Sequence, residues 1–263
     1  MRPSDDPTAD PFVRSALRLE AVDSTNDHAR RLLDAGPVEA PALIVADRQT
    51  RGRGQGSNAW WSDAGSLTAT LILDPSALGL PIDRVPSVAL ATAVAAIDAI
   101  ERLYPRCRPG IRWPNDIEVD GRKLGGILPE RVETEAGPRL LIGIGLNVRT
   151  RLDDAPPEVR RMAATLADWS GARPDADPRA DLLRVIMAAL PDRLRDLAHA
   201  RPSLHRRWAR LDALDGTRVR IESGTEIIEA LAAGIDEQGG LRLLVAGELQ
   251  IIHAGRVLRD RLP

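Results

Sequence analysis

Of the 36 basic residues in this 263-residue chain, 35 are arginine and one, Lys123, is lysine. It lies in the segment IRWPNDIEVDGRKLGGIL, residues 111–128. Lysine carries a compact point charge with three donors, whereas arginine is a wide planar fork that never deprotonates. A chain that uses arginine everywhere else therefore singles out Lys123 as a place that needs a concentrated charge. Asn115 and Asp116 follow a proline seven to eight residues upstream, and the intervening Asp120-Gly121 pair is a tight-hairpin signal. Pairing across that hairpin brings an amide, a carboxylate and an ammonium together, a set suited to acyl-phosphate chemistry. The plainer alternative is a surface ion pair worth under about 1 kcal/mol.

A second constellation is QTRGRGQGSNAWW, residues 49–61. Gly52, Gly54 and Gly56 leave backbone N–H groups free to approach an anion, and Arg53 adds charge. The spacing matches neither a P-loop nor G-x-G-x-x-G ahead of a helix, so as a general motif it is a weak anion-loop signal. Trp60 and Trp61, two of five tryptophans, close the loop with an aromatic face on which a purine could stack. The third is Asn147, at the end of the apolar run in GIGLNV; such a residue is otherwise a turn former.

The elements that must hold these groups are legible as an α/β pattern. A strand is expected over residues 14–22, then a helix with Ser24 as N-cap, Asp27 completing a capping box and Gly36 as the stop. ALIVADRQ (42–49) reads as a buried strand, and SLTATLIL (66–73) alternates as a strand with one face on the core does. A nearly all-apolar helix follows over 86–103. IRWPNDIEV, GRKLGGILPERV and RLLIGIGLNV read as three further strands. Residues 157–211 are helical, interrupted by SGARPDADP, with a long helix from Pro178 to Ala198. From Asp215 onward short strands at ten-residue spacing predict a small β-barrel. The expected division is a loose tail over 1–12, a larger α/β domain over 13–212 and the barrel over 213–263.

Composition narrows the function classes. A net charge of −2 offers no field to steer the chain to nucleic acid or anionic lipid. The single cysteine, Cys107, forms no internal disulfide, and the opening MRPSDDPTADPFV lacks the layout of a signal peptide, so a cytoplasmic protein is expected. The apolar stretch 85–100 is too short to span a bilayer. The four histidines show no metal-ligand spacing, so no metal site is expected.

Taken in order, DSTND, QTRGRGQGSNAW, WPNDI, GRKLGGIL and GIGLNV closely resemble the biotin protein ligase family, of the single-function type without an N-terminal DNA-binding domain. The resemblance runs from about Val22 to the C-terminus. It implies a central mixed sheet flanked by helices, followed by an SH3-like barrel. It also implies the activity: biotin is activated with ATP and Mg2+ to biotinyl-5′-adenylate, then transferred to one lysine of a biotin carboxyl carrier domain. Ser24, Thr25, Asn26, Gln49, Gly52, Arg53, Lys123 and Gly126 would shape the biotin site. Gly54, Gln55, Gly56, Asn58, Trp60, Asn115, Lys123 and Asn147 would serve the nucleotide. Lys123 and Arg53 would act in catalysis, and Asp116 would position or deprotonate the incoming carrier lysine. A homodimer is left open.

Three departures from the family pattern stand out. Gln55 occupies the place of a usual second arginine, and Arg51 is the nearest candidate to replace its charge. Pro129 removes a strand donor, and Arg256 stands where the barrel usually ends in an acidic residue. The alternatives are a biotin-binding paralogue weakened by Gln55, a lipoate ligase on the same fold, and a DNA-binding repressor. Only 23 residues precede Ser24, too few for a three-helix DNA-binding domain, so the repressor is disfavoured.

Overall fold

The structure, a computed structural model, describes residues 11–81, 85–169 and 177–259. Most of the expected tail and most of the SGARPDADP interruption lie outside these residues. Seven strands form the main sheet: β1 (Ser15–Val22), β2 (Ala42–Gln49), β5 (Ser66–Leu73), β9 (Arg139–Asn147), β8 (Arg122–Val132), β7 (Asp116–Val119) and β6 (Gly110–Arg112), in that spatial order. Only β1 and β2 run parallel. A parallel pair needs a crossover, and helix α1 (Thr25–Ala35) supplies it.

Helices α2 (Val85–Leu103), α4 (Pro178–Ala198) and α5 (Pro202–Leu211) pack into the large core, while α1 covers a smaller apolar cluster around Ala29, Leu33, Ile44 and Ile72. SLTATLIL is therefore buried on both faces, not on one as its alternation suggested. Leu67, Ala69, Leu71 and Leu73 join the large core, and the opposite face carries Thr68 and Thr70, whose hydroxyls are hydrogen-bonded inside the protein. The polar half of the alternation thus faces buried polar partners where solvent was expected. Cys107 is also core; burial pushes its thiol up to about 11, so it stays protonated and apolar.

IRWPNDIEV is two strands and not one. The chain reverses over Trp113–Asn115, pairing Arg112 with Asp116 and Ile111 with Ile117. A second reversal at Asp120 (φ 50°) and Gly121 (φ 72°) brings β7 onto β8, the geometry of a two-residue hairpin turn with both φ positive. Pro129 is tolerated because β8 beyond Ile127 has a strand partner only on its β9 side among the described residues.

The C-terminal region is a five-stranded antiparallel sheet, β13 (Glu248–Ile252), β12 (Leu241–Val245), β11 (Glu226–Ile235), β10 (Arg218–Ser223) and β14 (Arg256–Val257). Its inner face, including Val219, Ile221, Leu241 and Leu243, continues the main core. Polar clips fasten it to α2 and to the β6–β7 hairpin: Trp113 Nε1 donates to Gly239 O at 2.9 Å, Ser87 Oγ to Gln238 O at 2.6 Å, and Arg112 to Leu258 O at 3.2 Å.

Asp212 sits at this junction with one carboxylate oxygen accepting from Leu214 N and the other buried without a hydrogen-bond partner. Burial raises its pKa to about 6, against the Leu214 hydrogen bond and with help from the Asp215 charge. An unfolded aspartate titrates near 3.9. Between roughly pH 4 and 6 the native state holds a proton that the unfolded state has lost, so stability falls as pH rises through that window and the cost is complete above it. Asp212→Asn is expected to stabilise the fold by about 1–3 kcal/mol at pH 8 and by little at pH 4. Urea melts at the two pH values check this; equal gains at both would exclude burial of the charge as the cause.

Candidate functional site

A cavity of about 400 Å³ opens between the start of α1, the strands β7, β8 and β9, and the last strand β14. Further walls are the short helix α3 (Pro157–Met162) and a small ribbon, β3 (Gly52–Arg53) paired with β4 (Ala59–Trp60). The size is that of a small-molecule site. Every residue singled out on chemical grounds lines it except Gly52 and Gly56. Gly52 lies behind the wall: a Cβ there would be 2.5 Å from Trp60 O and 2.9 Å from Gln49 Nε2, so glycine lets the ribbon close over Gln49. Gly56 is an exposed turn residue (φ 61°) at the ribbon's tip.

One end of the cavity is a polar relay rooted in α1. Ser24 caps the helix by accepting from Asp27 N at 3.4 Å. The expected reciprocal contact from Asp27 is absent; Asp23 takes the Ser24 N–H at 2.8 Å, and Asp27 bonds Arg53 at 2.6 Å. Thr25 N and Oγ1 both donate to Gln49 Oε1, at 2.7 and 3.1 Å. Asn26 accepts from Thr70 at 2.6 Å and donates to Glu130 at 2.7 Å. Arg53, also bonded to Glu130 at 2.7 Å, ties the glycine ribbon to this relay. Asn26 thus lines the cavity with its amide committed to partners inside the protein.

The other end holds the pair that opened the sequence analysis. Lys123 Nζ is 2.6 Å from Asp116 Oδ1 and 5.7 Å from the centre of the Trp60 ring. Asp116 pairs with Gly126 across the hairpin, and a Cβ on Gly126 would touch Asp116 Oδ1 and Lys123 Nζ at 3.4 and 3.5 Å. The pair therefore borders the cavity with only hydrogen on its Gly126 side. The backbone of Lys123 is fixed as well: its carbonyl accepts from Ala164 N at 2.9 Å and Asn147 Nδ2 at 3.4 Å. Asn147 donates again to Ala164 O at 3.0 Å, so its amide protons hold the strand that carries Lys123. Asn115 similarly donates to Ile127 O at 2.9 Å.

Arg51 does not replace the charge missing at Gln55; it is exposed, pairs with Asp23 at 3.6 Å and lies off the cavity. The cations that do line it beyond Arg53 and Lys123 are Arg112, Arg256 and Arg259. Arg259 bonds Glu118 at 3.2 Å and lies 3.7 Å from the second oxygen of Asp116. Arg256 is held loosely, 3.9 Å from Glu222. Glu130, Thr70 and Arg259 belong to the site without lying in any of the motifs that mark the others, and Gly143 and Gly145 join them from within GIGLNV. The two glycines left a trace, the alternate spacing in GIG, which puts both on one face of β9: a Cβ at Gly145 would be 2.8 Å from the Trp60 indole.

Residues 19–147 match the biotin/lipoate A/B protein ligase family and residues 216–259 the biotin protein ligase C terminal domain. The bifunctional ligase/repressor BirA of Bacillus spizizenii is 34% identical over 90% of this chain and 72% of its own length. The biotin–[acetyl-CoA-carboxylase] ligase of Mycobacterium tuberculosis is 33% identical over 83% of this chain and 79% of its own. This chain belongs to the biotin protein ligase family. The Aquifex aeolicus biotin protein ligase in complex with biotin and ATP superposes with a TM-score of 0.79 at 25% identity, covering 94% of this chain and all of that one. As a biotin protein ligase family member the chain has the expected fold class, a mixed sheet flanked by helices and then an antiparallel C-terminal sheet. Among its described residues no helix is long and apolar enough to cross a membrane.

Proposed function

We propose that this chain is an ATP-dependent biotin protein ligase that joins biotin carboxylate to AMP and then to a lysine of a carrier domain. The observation that carries the reading is the Lys123–Asp116 pair, 2.6 Å apart at the wall of the cavity that the polar relay of α1 also enters. Ser24 and Gln49 bring a hydroxyl and an amide NH2 of the kind that bonds a ureido ring, Thr25 holds Gln49 Oε1 in place, and Gly126 leaves room beside the Lys123–Asp116 pair. Lys123 supplies a point charge where negative charge builds on phosphorus as the carboxylate attacks and diphosphate leaves. Trp60 presents an indole to the adenine side. Asp116 then receives the carrier lysine, whose ammonium must lose a proton before attack. Magnesium enters with the nucleotide as MgATP, held chiefly by the phosphates.

The acceptor is a biotin carrier domain, as the family's activity requires. We also assign residues 13–212 to the catalytic domain and 213–263 to the C-terminal one, the polar clips at Trp113 and Ser87 joining the two. Biotin-dependent release of diphosphate from ATP, followed by biotin transfer to a purified carrier domain, tests the function. Biotin binding without diphosphate release would instead support the weakened paralogue.

Gln55 lines the cavity but brings no charge. A hydrogen bond to an ionised group is worth about 1.5–3 kcal/mol, so Gln55→Arg is expected to slow release of bound biotinyl-adenylate by about tenfold or more. Chase kinetics with unlabelled adenylate measure it; equal release rates end the idea.

A further inference from the structure

We propose that β13 is the contact strand of a homodimer, in which two copies of the chain pair their β13 strands antiparallel about Gln250 and so join their C-terminal sheets into one. Every other edge of the two large sheets is closed or blunted among the described residues. At one end of the main sheet β6 is bridged by Asp212 and Ala213, and at the other β1 presents the charged Arg18 and Glu20. Where β8 lacks a second partner it carries Pro129, and β14 is only two residues long. Charges, proline and short strands are the devices that keep a free edge from pairing. β13 has Glu248 as its one charge, and Glu248, Leu249, Gln250 and Ile251 are all exposed, so both of its faces are open.

The turn that leads into β13 fixes which of its backbone groups are free. Val245 and Glu248 close a two-residue turn through Ala246 (φ 51°) and Gly247 (φ 91°). In such a turn the closing residues bond each other, and bonded pairs then alternate with unbonded ones along the ladder. Leu243–Gln250 and Leu241–Ile252 are therefore bonded, whereas Leu244–Leu249 and Arg242–Ile251 are not. The N–H and C=O of Leu249 and Ile251 point away from β12, toward the free edge.

That edge is complementary to itself. An antiparallel pair centred on Gln250 sets Leu249 opposite Ile251 of the second copy and Ile251 opposite its Leu249. Each of these residues turns its N–H and C=O outward, so both new pairs are bonded. Glu248 falls opposite Ile252, and Gln250 opposite its own counterpart, so no two like charges meet. Leu249 and Ile251 are 58% and 46% exposed, and Leu249 continues a row from Leu231 and Leu244 on the same face. Pairing extends that row into Ile251 of the second copy, which gives each of the two exposed side chains an aliphatic neighbour across the new ladder. The cavity stays open, because β14 borders it from the opposite edge of this sheet. Two such strands bury less than the roughly 800 Å² per partner of a standard interface, so the dimer is weak, dissociating on the order of 10–100 µM.

Sedimentation equilibrium of the full chain from about 1 to 300 µM is expected to show the average mass rising from one chain toward two. Amide exchange at the highest concentration is expected to slow at Leu249 and Ile251 and to stay unchanged at Gln250, whose N–H is already bonded to β12. Ile251→Pro is expected to weaken dimerisation at least about tenfold in a folded chain, because the N–H it removes faces the free edge, where proline is tolerated. Leu249→Lys leaves the backbone intact and puts a charge into the aliphatic row, so it is expected to act in the same direction and serves alone if the proline variant does not fold. A chain that remains monomeric over the whole range would overturn the proposal, as would a dimer that either folded variant leaves undiminished or one in which the Leu249 and Ile251 amides exchange freely. A monomeric chain whose binding to a purified carrier domain is abolished by Leu249→Lys would give the strand to the carrier and overturn the second copy as its occupant.

Discussion

Lys123→Arg is expected to lower the rate of adenylate formation by about 10²–10³-fold, the usual cost of losing one preorganised electrostatic group, while biotin binding changes little. The substitution keeps the charge, so the effect isolates shape. Lys123 O is tied to Ala164 and Asn147, which leaves the side chain little freedom to shift its root. Nζ must also fit between Asp116 and the Trp60 face. A guanidinium in that space spreads its charge over three nitrogens and prefers a bidentate grip on Asp116, which draws it away from a phosphoryl oxygen. Thr25 bonds Gln49, and Ser24 bonds Asp23 and Asp27, none of them Lys123, so the biotin end is untouched. Biotin-dependent diphosphate release and biotin calorimetry on the variant check both halves. Activity within tenfold of wild type would mean that any cation suffices and that the lone lysine has no special role.

The sequence made Lys123 conspicuous because it broke a compositional habit, and the Asp120-Gly121 turn was enough to place Asp116 opposite it. Local signals of this kind survive folding because they are short in range. The Ser24 cap, the Gly36 stop and the Pro178 helix start are legible for the same reason. What the sequence concealed was long in range. Glu130 sits in a strand and looks like a solvated carboxylate until the fold sets it against Arg53, 77 residues away, and Asn26, 104 away. Arg259 reaches Asp116 only because the C-terminal sheet docks on β7. Thr70 shows the same limit from the other side: alternation identified the strand, but whether its polar face meets water or a buried amide depends on α1. The split of IRWPNDIEV fails on a different count, since Pro114 signals a break in pairing and the apolar residues flanking it outweighed that signal.

Gly143→Ala is expected to destabilise the protein by about 2 kcal/mol and to weaken biotin binding at least tenfold, although glycine in a strand interior is ordinarily a weak choice. A Cβ at this position would stand 2.5 Å from Asn26 Oδ1 and 3.1 Å from its Cγ. Asn26 cannot retreat at small cost. It is almost fully buried, accepts from Thr70 and donates to Leu128 O at 3.2 Å and Glu130 at 2.7 Å. Displacing it strands buried polar groups, each costing about 1–3 kcal/mol if left unpaired, and loosens the Glu130 that holds Arg53 and the glycine ribbon. The loss of binding would then come through the relay, with no ligand contact removed. Coupling to Asn26 separates this account from general strand damage. In Asn26→Ala the clash is gone, so adding Gly143→Ala should cost far less than it does in wild type, a non-additivity readable by urea melts in a double-mutant cycle. Additive effects would place the role of Gly143 in its strand and not in the floor of the site.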